Sequence, residues 1–294
     1  MNGTEFRFVS SSDNEYEYNP NEDRGNGGQE ESRPTITPAP TIAQTSTCSD
    51  PNFPSGLFTE PCFQSRFELV RAVQYYTKYD GLVNYDEACR KKLFRQHGES
   101  INQWCLDNVT DFSNLFRYRM DFNDALDRWD VSHVESMQEM FYSARAFNQD
   151  ISAWDVSAVS NMEQTFADAR AFNQNISTWD VLSVVEMKRM FEGAVLFNQD
   201  ISTWDVSGVR YMSGMYMSAS KFNQDLSHWN MSNVTDIRVM FSHARNFSQD
   251  LCAWGNKLPL SAMTHYAFKD TNCPNTSDPD MHASPPGPFC FNCI

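Results

Sequence analysis

The chain has 294 residues, with 23 basic and 38 acidic side chains, so its formal net charge at pH 7 is −15. Nucleic-acid binding needs clustered lysine and arginine, so this balance argues against a nucleic-acid partner and also against electrostatic docking on an anionic membrane. No apolar run of about 18 residues is present, and no membrane-spanning segment is predicted.

Residues 1–62 predict a disordered, acidic N-terminus that includes a Thr/Pro linker. They are poor in aliphatic residues, so they cannot bury enough apolar surface to offset the entropy of ordering. The stretch 33–41 is typical of an O-glycosylated stalk and equally of a plain linker. The apolar core of a secretory signal is not visible, which taken alone favours a cytoplasmic protein, an incomplete N-terminus or an unconventional export route.

Residues 63–99 predict a helical N-terminal cap. Apolar residues recur at helical spacing within 63–79, and a second helix is predicted over 85–96. Together the two helices would cover the edge of the first repeat, where unpaired backbone groups are otherwise open to another chain.

Residues 100–271 repeat with a period of 25 residues. The unit is F-N-Q-D-I-S-x-W-D-V-S-x-V-x-x-M-x-x-M-F-x-x-A-x-x, and good copies run from 122 to 246. Units 97–121 and 247–271 are degenerate, as expected of capping units with one face that lacks a neighbour. The aromatic series that keep the step are Trp104, Trp129, Trp154, Trp179, Trp204, Trp229 and Trp254; Phe122, Phe147, Phe172, Phe197, Phe222 and Phe247; and Phe116, Phe141, Phe166, Phe191, Tyr216 and Phe241.

Each 25-residue coil is expected to contain one short parallel strand and one short helix or 3-10 turn. Ile151, Trp154 and Val156 have the spacing i, i+3, i+5, which is typical of the strand in a leucine-rich repeat. Apolar residues three and four apart predict the helical turn over 162–169. The predicted fold is therefore a repeat solenoid, leucine-rich-repeat-like, with a helical N-terminal cap and a disulfide-rich C-terminal cap over 272–294.

The eight cysteines all lie outside the five clearest repeats. An even number confined to the ends predicts disulfides, which persist in oxidising compartments. Spacing does not fix their connectivity, but neighbours in sequence are favoured, namely Cys48–Cys62, Cys89–Cys105, Cys252–Cys273 and Cys290–Cys293. The alternative is a zinc site at the C-x-x-C of 290–293, although no second C-x-x-C completes it.

Polar residues also recur with the 25-residue period. In most repeats an Asn, a Gln and an Asp or Asn follow the first Phe, and a further Asp follows most Trp residues. One interpretation is structural, because such side chains bond backbone amides at turns. The other is calcium, since stacked carboxylates repel and a hard cation relieves that repulsion. The candidate calcium ligands are Asp130, Asp155, Asp180 and Asp205.

Catalytic chemistry is not predicted. The sequence has no nucleophile elbow, zinc-protease, P-loop or dinucleotide-binding motif. A catalytic group needs an individual environment that shifts its pKa, whereas a repeat gives its acids the same environment each time. No catalytic residue and no cofactor is therefore expected.

The repeat unit closely resembles that of the BspA-like leucine-rich-repeat surface proteins, specifically the mycoplasma-type repeat of unknown function found in bacteria and single-celled algae. The resemblance covers about residues 100–271, and the stretch from Cys273 to Cys293 looks like the tail of algal members. It implies a right-handed solenoid, often displayed at the cell surface, with adhesion or protein binding in some bacterial members. It implies no catalytic residues.

The predicted function is a non-catalytic repeat scaffold that binds a protein or glycan, extracellular or on the cell surface. The alternatives are an intracellular protein-interaction scaffold and a calcium-dependent adhesive module. Glycosylation of a secreted chain is suggested by N-x-S/T triplets at Asn2, Asn108, Asn175, Asn230, Asn233, Asn246 and Asn275.

Overall fold

The structure, a computed structural model, describes residue 48, residues 62–78 and residues 86–294. The predicted disordered segment and its Thr/Pro linker lie outside the described residues, apart from Cys48 and Cys62. Among the described residues, no helix is both long and apolar enough to cross a membrane.

Two α-helices lie in the segment for which a helical cap was predicted. Helix α1 spans Arg66–Tyr76, and helix α2 spans Glu87–His97. The Ser65 hydroxyl accepts from the Glu68 amide at 3.3 Å, and the Glu68 carboxylate accepts from the Gln64 amide at 2.7 Å. This reciprocal pattern satisfies amides at the start of α1 that the helix itself leaves unpaired. Two 3-10 helices follow, at Ile101–Gln103 and Cys252–Trp254.

The 25-residue units stack in parallel, each one directly against the next. One residue of each unit forms an isolated parallel bridge with its equivalent in the following unit. The bridged residues are Asp111, Ser136, Asn161, Glu186, Tyr211, Asp236 and Met263. From Asp111 to Asp236 the step is one whole repeat of 25 residues, so each side chain lies beside its own equivalent and identical residues form columns. The last step, from Asp236 to Met263, is 27 residues.

The expectation of a strand-based, leucine-rich-repeat-like solenoid is wrong. Residues 100–271 contain isolated bridges in place of strands, and consecutive turns in place of the helix expected over 162–169. The amides of Met162, Gln164 and Phe166 donate to the next unit at 2.9 Å each. The amides of Thr165 and Ala167 instead bond three residues back within their own unit. Neither a helix nor an extended strand allows this alternation.

The alternation requires two left-handed residues in each unit. In the second clear repeat these are Gln164, with φ 53°, and Asp168, with φ 54°. A left-handed conformation costs roughly 1–2 kcal/mol for a residue other than glycine. The left-handed conformation turns backbone amides toward the next unit, where they gain hydrogen bonds. Burial of the apolar columns offsets the rest of the conformational cost.

The core consists of stacked aromatic columns. Phe141 stacks on Phe147 of the next unit with ring centroids 3.9 Å apart, and on Phe166 at 5.5 Å. All seven tryptophans are at most 4% exposed. From Trp129 to Trp254, each indole N–H donates to a carbonyl 28 residues earlier; for Trp154 this is Leu126, at 3.0 Å. The buried indole is thus satisfied by the preceding unit.

Both ends of the stack are closed by disulfides, and all eight cysteines are bonded. The predicted pairing of sequence neighbours is wrong in every case. The pairs are Cys48–Cys89, Cys62–Cys105, Cys252–Cys293 and Cys273–Cys290.

Contacts between segments distant in sequence explain these pairs. At the N-terminal end, Cys62 forms a parallel bridge with Cys105 beside the first unit. At the other end the chain turns back so that the carbonyl of the buried Phe289 accepts from the Leu251 amide at 3.3 Å. These contacts bring together cysteines 17 to 43 residues apart.

Candidate functional site

Two parts of each repeat differ in surface chemistry, and along the stack they form two surfaces that we call the ladder column and the variable column. The ladder column is formed by the first twelve residues of each clear repeat, starting with 122–133. The variable column is formed by the remaining thirteen, starting with 134–146. Over the five repeats, the ladder column has nine acidic residues and one basic residue, whereas the variable column has seven acidic and eight basic residues. The two columns therefore present different electrostatic surfaces.

In the ladder column, asparagine and glutamine side chains hold neighbouring units in register. The Asn148 side-chain oxygen accepts from the Asn173 amide at 2.8 Å. The Gln174 side chain donates to the Asn148 carbonyl at 2.8 Å. The same pair of bonds recurs at the next units. These Asn and Gln side chains stabilise the stacking of neighbouring units, which is the structural role expected of such ladders.

The four candidate calcium ligands each close a local turn. A carboxylate oxygen of Asp155 accepts from the Ser157 amide at 3.0 Å, and Asp130, Asp180 and Asp205 do the same two residues on. The Ser157 hydroxyl and then its amide hold the pKa of Asp155 below its usual value. Asn230 makes the same turn bond at 3.2 Å, which explains why Asn replaces Asp at this position.

Within the described residues, no three of these ladder carboxylates bring oxygen atoms within 4.8 Å of one another. Two groups of three potential ligands do converge, but each contains a disulfide, Cys48–Cys89 or Cys62–Cys105. The alternative zinc ligands Cys290 and Cys293 are also bonded to other cysteines. A disulfide sulfur is not a thiolate, and thiolate is the form that binds zinc.

In the variable column, equivalent positions carry unrelated side chains. The position of Glu139 holds Gln164, Arg189, Gly214 and Val239 in the following repeats. The fold requires only a left-handed backbone there, and it does not fix the side chain. The backbone conformation is thus kept at this position of the variable column while its side chain differs from repeat to repeat.

Ion pairs organise much of the variable column. Arg145 and Arg170 each bond one oxygen of Asp168, at 3.1 and 2.7 Å. Further pairs join Lys188 to Glu186 at 2.9 Å and Arg238 to Asp236 at 2.8 Å. Within the variable column, the exposed cations that make no ion pair with a carboxylate of the described residues are Arg210, Lys221 and Arg245.

Tyrosine and arginine side chains extend this column into the first unit. The Arg117 guanidinium lies 4.9 Å from the ring centre of Tyr118 and 5.1 Å from that of Tyr142. It also pairs with Glu139 at 2.9 Å. Tyr118 remains 46% exposed. Guanidinium groups on exposed aromatic rings are common in binding surfaces.

A depression of about 480 Å³ lies beside Tyr118, where the C-terminal end of α1 meets the first unit. Its walls include Tyr76, Met120 and Asp124. The Tyr76 hydroxyl donates to Asp124 at 2.7 Å, and burial together with this bond raises the pKa of Tyr76 to about 12. This site was not predicted from the sequence. The only available signal was that Asp124 occupies a position where the later units have Gln.

Comparison with known families gives two matches to the model described as "Mycoplasma protein of unknown function, DUF285". They cover residues 88–195 and 173–277, which together span nearly two thirds of the chain. No curated protein and no solved structure matches. The resemblance to BspA-like proteins within this group stays a prediction.

Proposed function

We propose that this chain, which belongs to the DUF285 family, is a non-catalytic scaffold that binds a protein or glycan through its variable column. One observation carries the proposal: at the position of Glu139 in the variable column, every repeat keeps a left-handed backbone while the side chain differs from repeat to repeat. The ladder column keeps its Asn, Gln and Asp residues because the Asn and Asp side chains accept from backbone amides and the Gln side chains donate to backbone carbonyls. A surface that is free to vary while its backbone stays fixed suits partner recognition.

The variable column also has suitable chemistry for binding. It combines arginine with tyrosine, two residue types enriched in binding surfaces. Its ion pairs hold charged groups such as Asp168 and Arg170 in fixed positions. A partner therefore meets groups that are already ordered, which lowers the entropic cost of association.

Four disulfides indicate an oxidising environment, outside the cell or at its surface. We propose display at the cell surface or release from the cell, in preference to an intracellular scaffold. Within the described part of the chain, five N-x-S/T asparagines are exposed and are candidates for glycosylation: Asn108, Asn175, Asn230, Asn233 and Asn246. The calcium-dependent alternative is less well supported, because the ladder carboxylates already hold backbone amides.

Substitutions between repeats provide the test of the binding surface. In the variable-column variant, Arg145→Ser, Arg170→Ser and Arg245→Ser introduce the residue that occupies the equivalent position 220. In the matched ladder-column variant, Asp155→Asn, Asp180→Asn and Asp205→Asn introduce the residue at position 230. Each substitution uses a side chain that the fold already accepts.

The probe is the chain in which p-benzoylphenylalanine replaces Arg189 and every other residue is unchanged. It is cross-linked to surface and secreted proteins and glycoconjugates of the producing cells. We expect a saturable cross-linked product that excess ladder-column variant suppresses and excess variable-column variant does not. If the variable-column variant competes as well as the wild type, the assignment of the binding surface is wrong.

A separate measurement tests whether the protein is displayed outside the cell. The intact mass of the native protein, after alkylation of free thiols and before and after deglycosylation, reports disulfides and glycans together. We expect no alkylated cysteine and a mass loss on deglycosylation. Eight alkylated cysteines on a bare chain would instead favour the intracellular alternative.

A further inference from the structure

The depression beside α1 differs from the rest of the stack in its exposed apolar groups. Tyr118 is 46% exposed and Met120 is 45% exposed. The later units replace the tyrosine with short side chains, such as Ser143 and Ser218, at equivalent left-handed positions. The fold therefore does not require an aromatic ring at position 118. Its ring is held in place from one side, because the Arg117 guanidinium donates to its hydroxyl at 3.3 Å.

Charged groups in the depression balance one another. Its walls contain two carboxylates, from Asp121 and Asp124, and two cations, from Lys78 and Arg119. The net formal charge is therefore zero. An anionic ligand would meet the carboxylates and a cationic ligand would meet Lys78 and Arg119, while a purely apolar ligand would desolvate all four groups without compensation.

Several polar groups of the depression are fixed in direction. The Asp124 carboxylate is anchored by the Tyr76 hydroxyl at 2.7 Å. The Arg119 guanidinium donates to the Arg117 carbonyl at 3.2 Å. Asp121 is exposed and supplies a second carboxylate as an acceptor. Donors and acceptors of this kind, next to an aromatic ring, match a ligand that carries many hydroxyl groups on an apolar ring frame.

We propose that this depression binds an uncharged oligosaccharide. The sugar ring packs on the exposed part of Tyr118 and Met120, and its hydroxyl groups donate to Asp121 and Asp124. A depression of about 480 Å³ is within the range of roughly 300–1,000 Å³ that is usual for small-ligand sites. This inference rests on the proposed function, because Tyr118 and Met120 extend the variable column into the first unit, where Asp124 of the ladder column adjoins them.

The test is an array of immobilised oligosaccharides that contains neutral, sialylated and sulfated members, probed with the full, disulfide-intact chain. We expect binding to a subset of neutral members. Tyr118→Ser introduces the residue of positions 143 and 218, so the fold is retained, and we expect at least a tenfold loss of signal. Asp124→Gln introduces the residue that the later repeats carry, and it should also weaken binding.

Tyr266→Ser is the matched control, because Tyr266 is another exposed tyrosine in a left-handed conformation, 58% exposed, in the last unit. It should leave the array signal unchanged. Binding only to sialylated or sulfated members, no binding at all, or equal losses for Tyr118→Ser and Tyr266→Ser would overturn the inference. The array could show no binding while the variable-column variant still fails to compete for the product cross-linked from position 189. That result would overturn the oligosaccharide site and leave the proposed function intact, so failure of one proposal can be told from failure of the other.

Discussion

The ring of Tyr216 stacks on that of Phe222 with centroids 3.9 Å apart and an interplanar angle of 7°. Tyr216 is fully buried, and its hydroxyl oxygen has no hydrogen-bond partner among the described residues. At the equivalent positions the neighbouring units carry Phe191 and Phe241. Tyr216 thus occupies a position that is otherwise phenylalanine in the neighbouring units. Its hydroxyl group loses its hydration on folding and gains no hydrogen bond in return.

Tyr216→Phe is therefore expected to stabilise the chain by about 1–3 kcal/mol, which is the cost of an unsatisfied buried polar group. Urea unfolding with disulfides intact measures the change. The control is Tyr211→Phe, because Tyr211 is 37% exposed and its substitution should change stability by less than about 0.5 kcal/mol. A loss of stability in Tyr216→Phe would mean that the hydroxyl has a partner, such as a buried water.

Val239→Asn is expected to stabilise the chain by about 1 kcal/mol, because Val239 has a φ of 50°. A β-branched residue is strained in the left-handed region, whereas Asn tolerates it. The reverse comparison is Gly214→Val at the equivalent position, where a Cβ would lie 3.1 Å from Cγ of Arg189. That variant should be destabilised. Thermal unfolding of both variants measures the two changes in stability. Melting temperatures that shift equally and in the same direction would contradict the left-handed conformation at these two positions.

The turn aspartates predict a loss of stability in acid. The amide and then the hydroxyl of Ser152 lower the pKa of Asp150, and those of Ser202 do the same for Asp200. A lowered folded-state pKa contributes stability above the ordinary value of 3.8, and this is lost as pH falls through the lowered pKa. Asp150→Asn with Asp200→Asn should flatten the fall in melting temperature below about pH 5.

Glu192 supplies the control for that experiment, since burial raises the pKa of its carboxyl above 4.5. A raised folded-state pKa means that the folded chain binds the proton more tightly, so stability falls as pH rises from 4.5 through the raised pKa. Glu192→Gln should remove this opposite dependence. An unchanged acid profile in the Asp150/Asp200 variant would show that its turn bonds do not form.

Removal of the disulfide Cys252–Cys293 is expected to destabilise the C-terminal end of the stack first. Cys252→Ser with Cys293→Ser opens a link between residues 41 apart, and about 4 kcal/mol is expected from loop-closure entropy. Hydrogen exchange should then accelerate over 247–294 while the central units, 147–221, keep more of their protection. Uniform acceleration along the whole stack would mean that the units do not open separately.

Calcium is expected to leave the melting temperature unchanged. Asp155 and Asp180 already accept backbone amides, at 3.0 and 3.1 Å. A bound ion needs six or more oxygen ligands converging on one point. Melting curves with millimolar calcium and with EDTA make the comparison. A rise that EDTA reverses would restore the calcium-dependent alternative.

The 25-residue period in the sequence determines which side chains are equivalent, and hence which form columns. Equivalent residues in a stack have the same environment, so large apolar residues that recur, such as Trp154 and Phe166, must be buried in every unit. Both are at most 4% exposed. The position of the cysteines outside the clear repeats likewise indicated that disulfides close the ends.

Only the tertiary structure decided the backbone conformation, the disulfide pairs and the site beside α1. Apolar spacings of three and four fit a helix over 162–169, but the amide of Gln164 bonds the carbonyl of Lys188 in the next unit, at 2.9 Å. Partners one repeat away impose the left-handed turns, and local sequence spacing does not contain them. Chain reversal at the C-terminal end likewise joins Cys252 to Cys293, and folding of α1 onto the first unit brings Tyr76 to Asp124. These contacts depend on where distant segments meet in space.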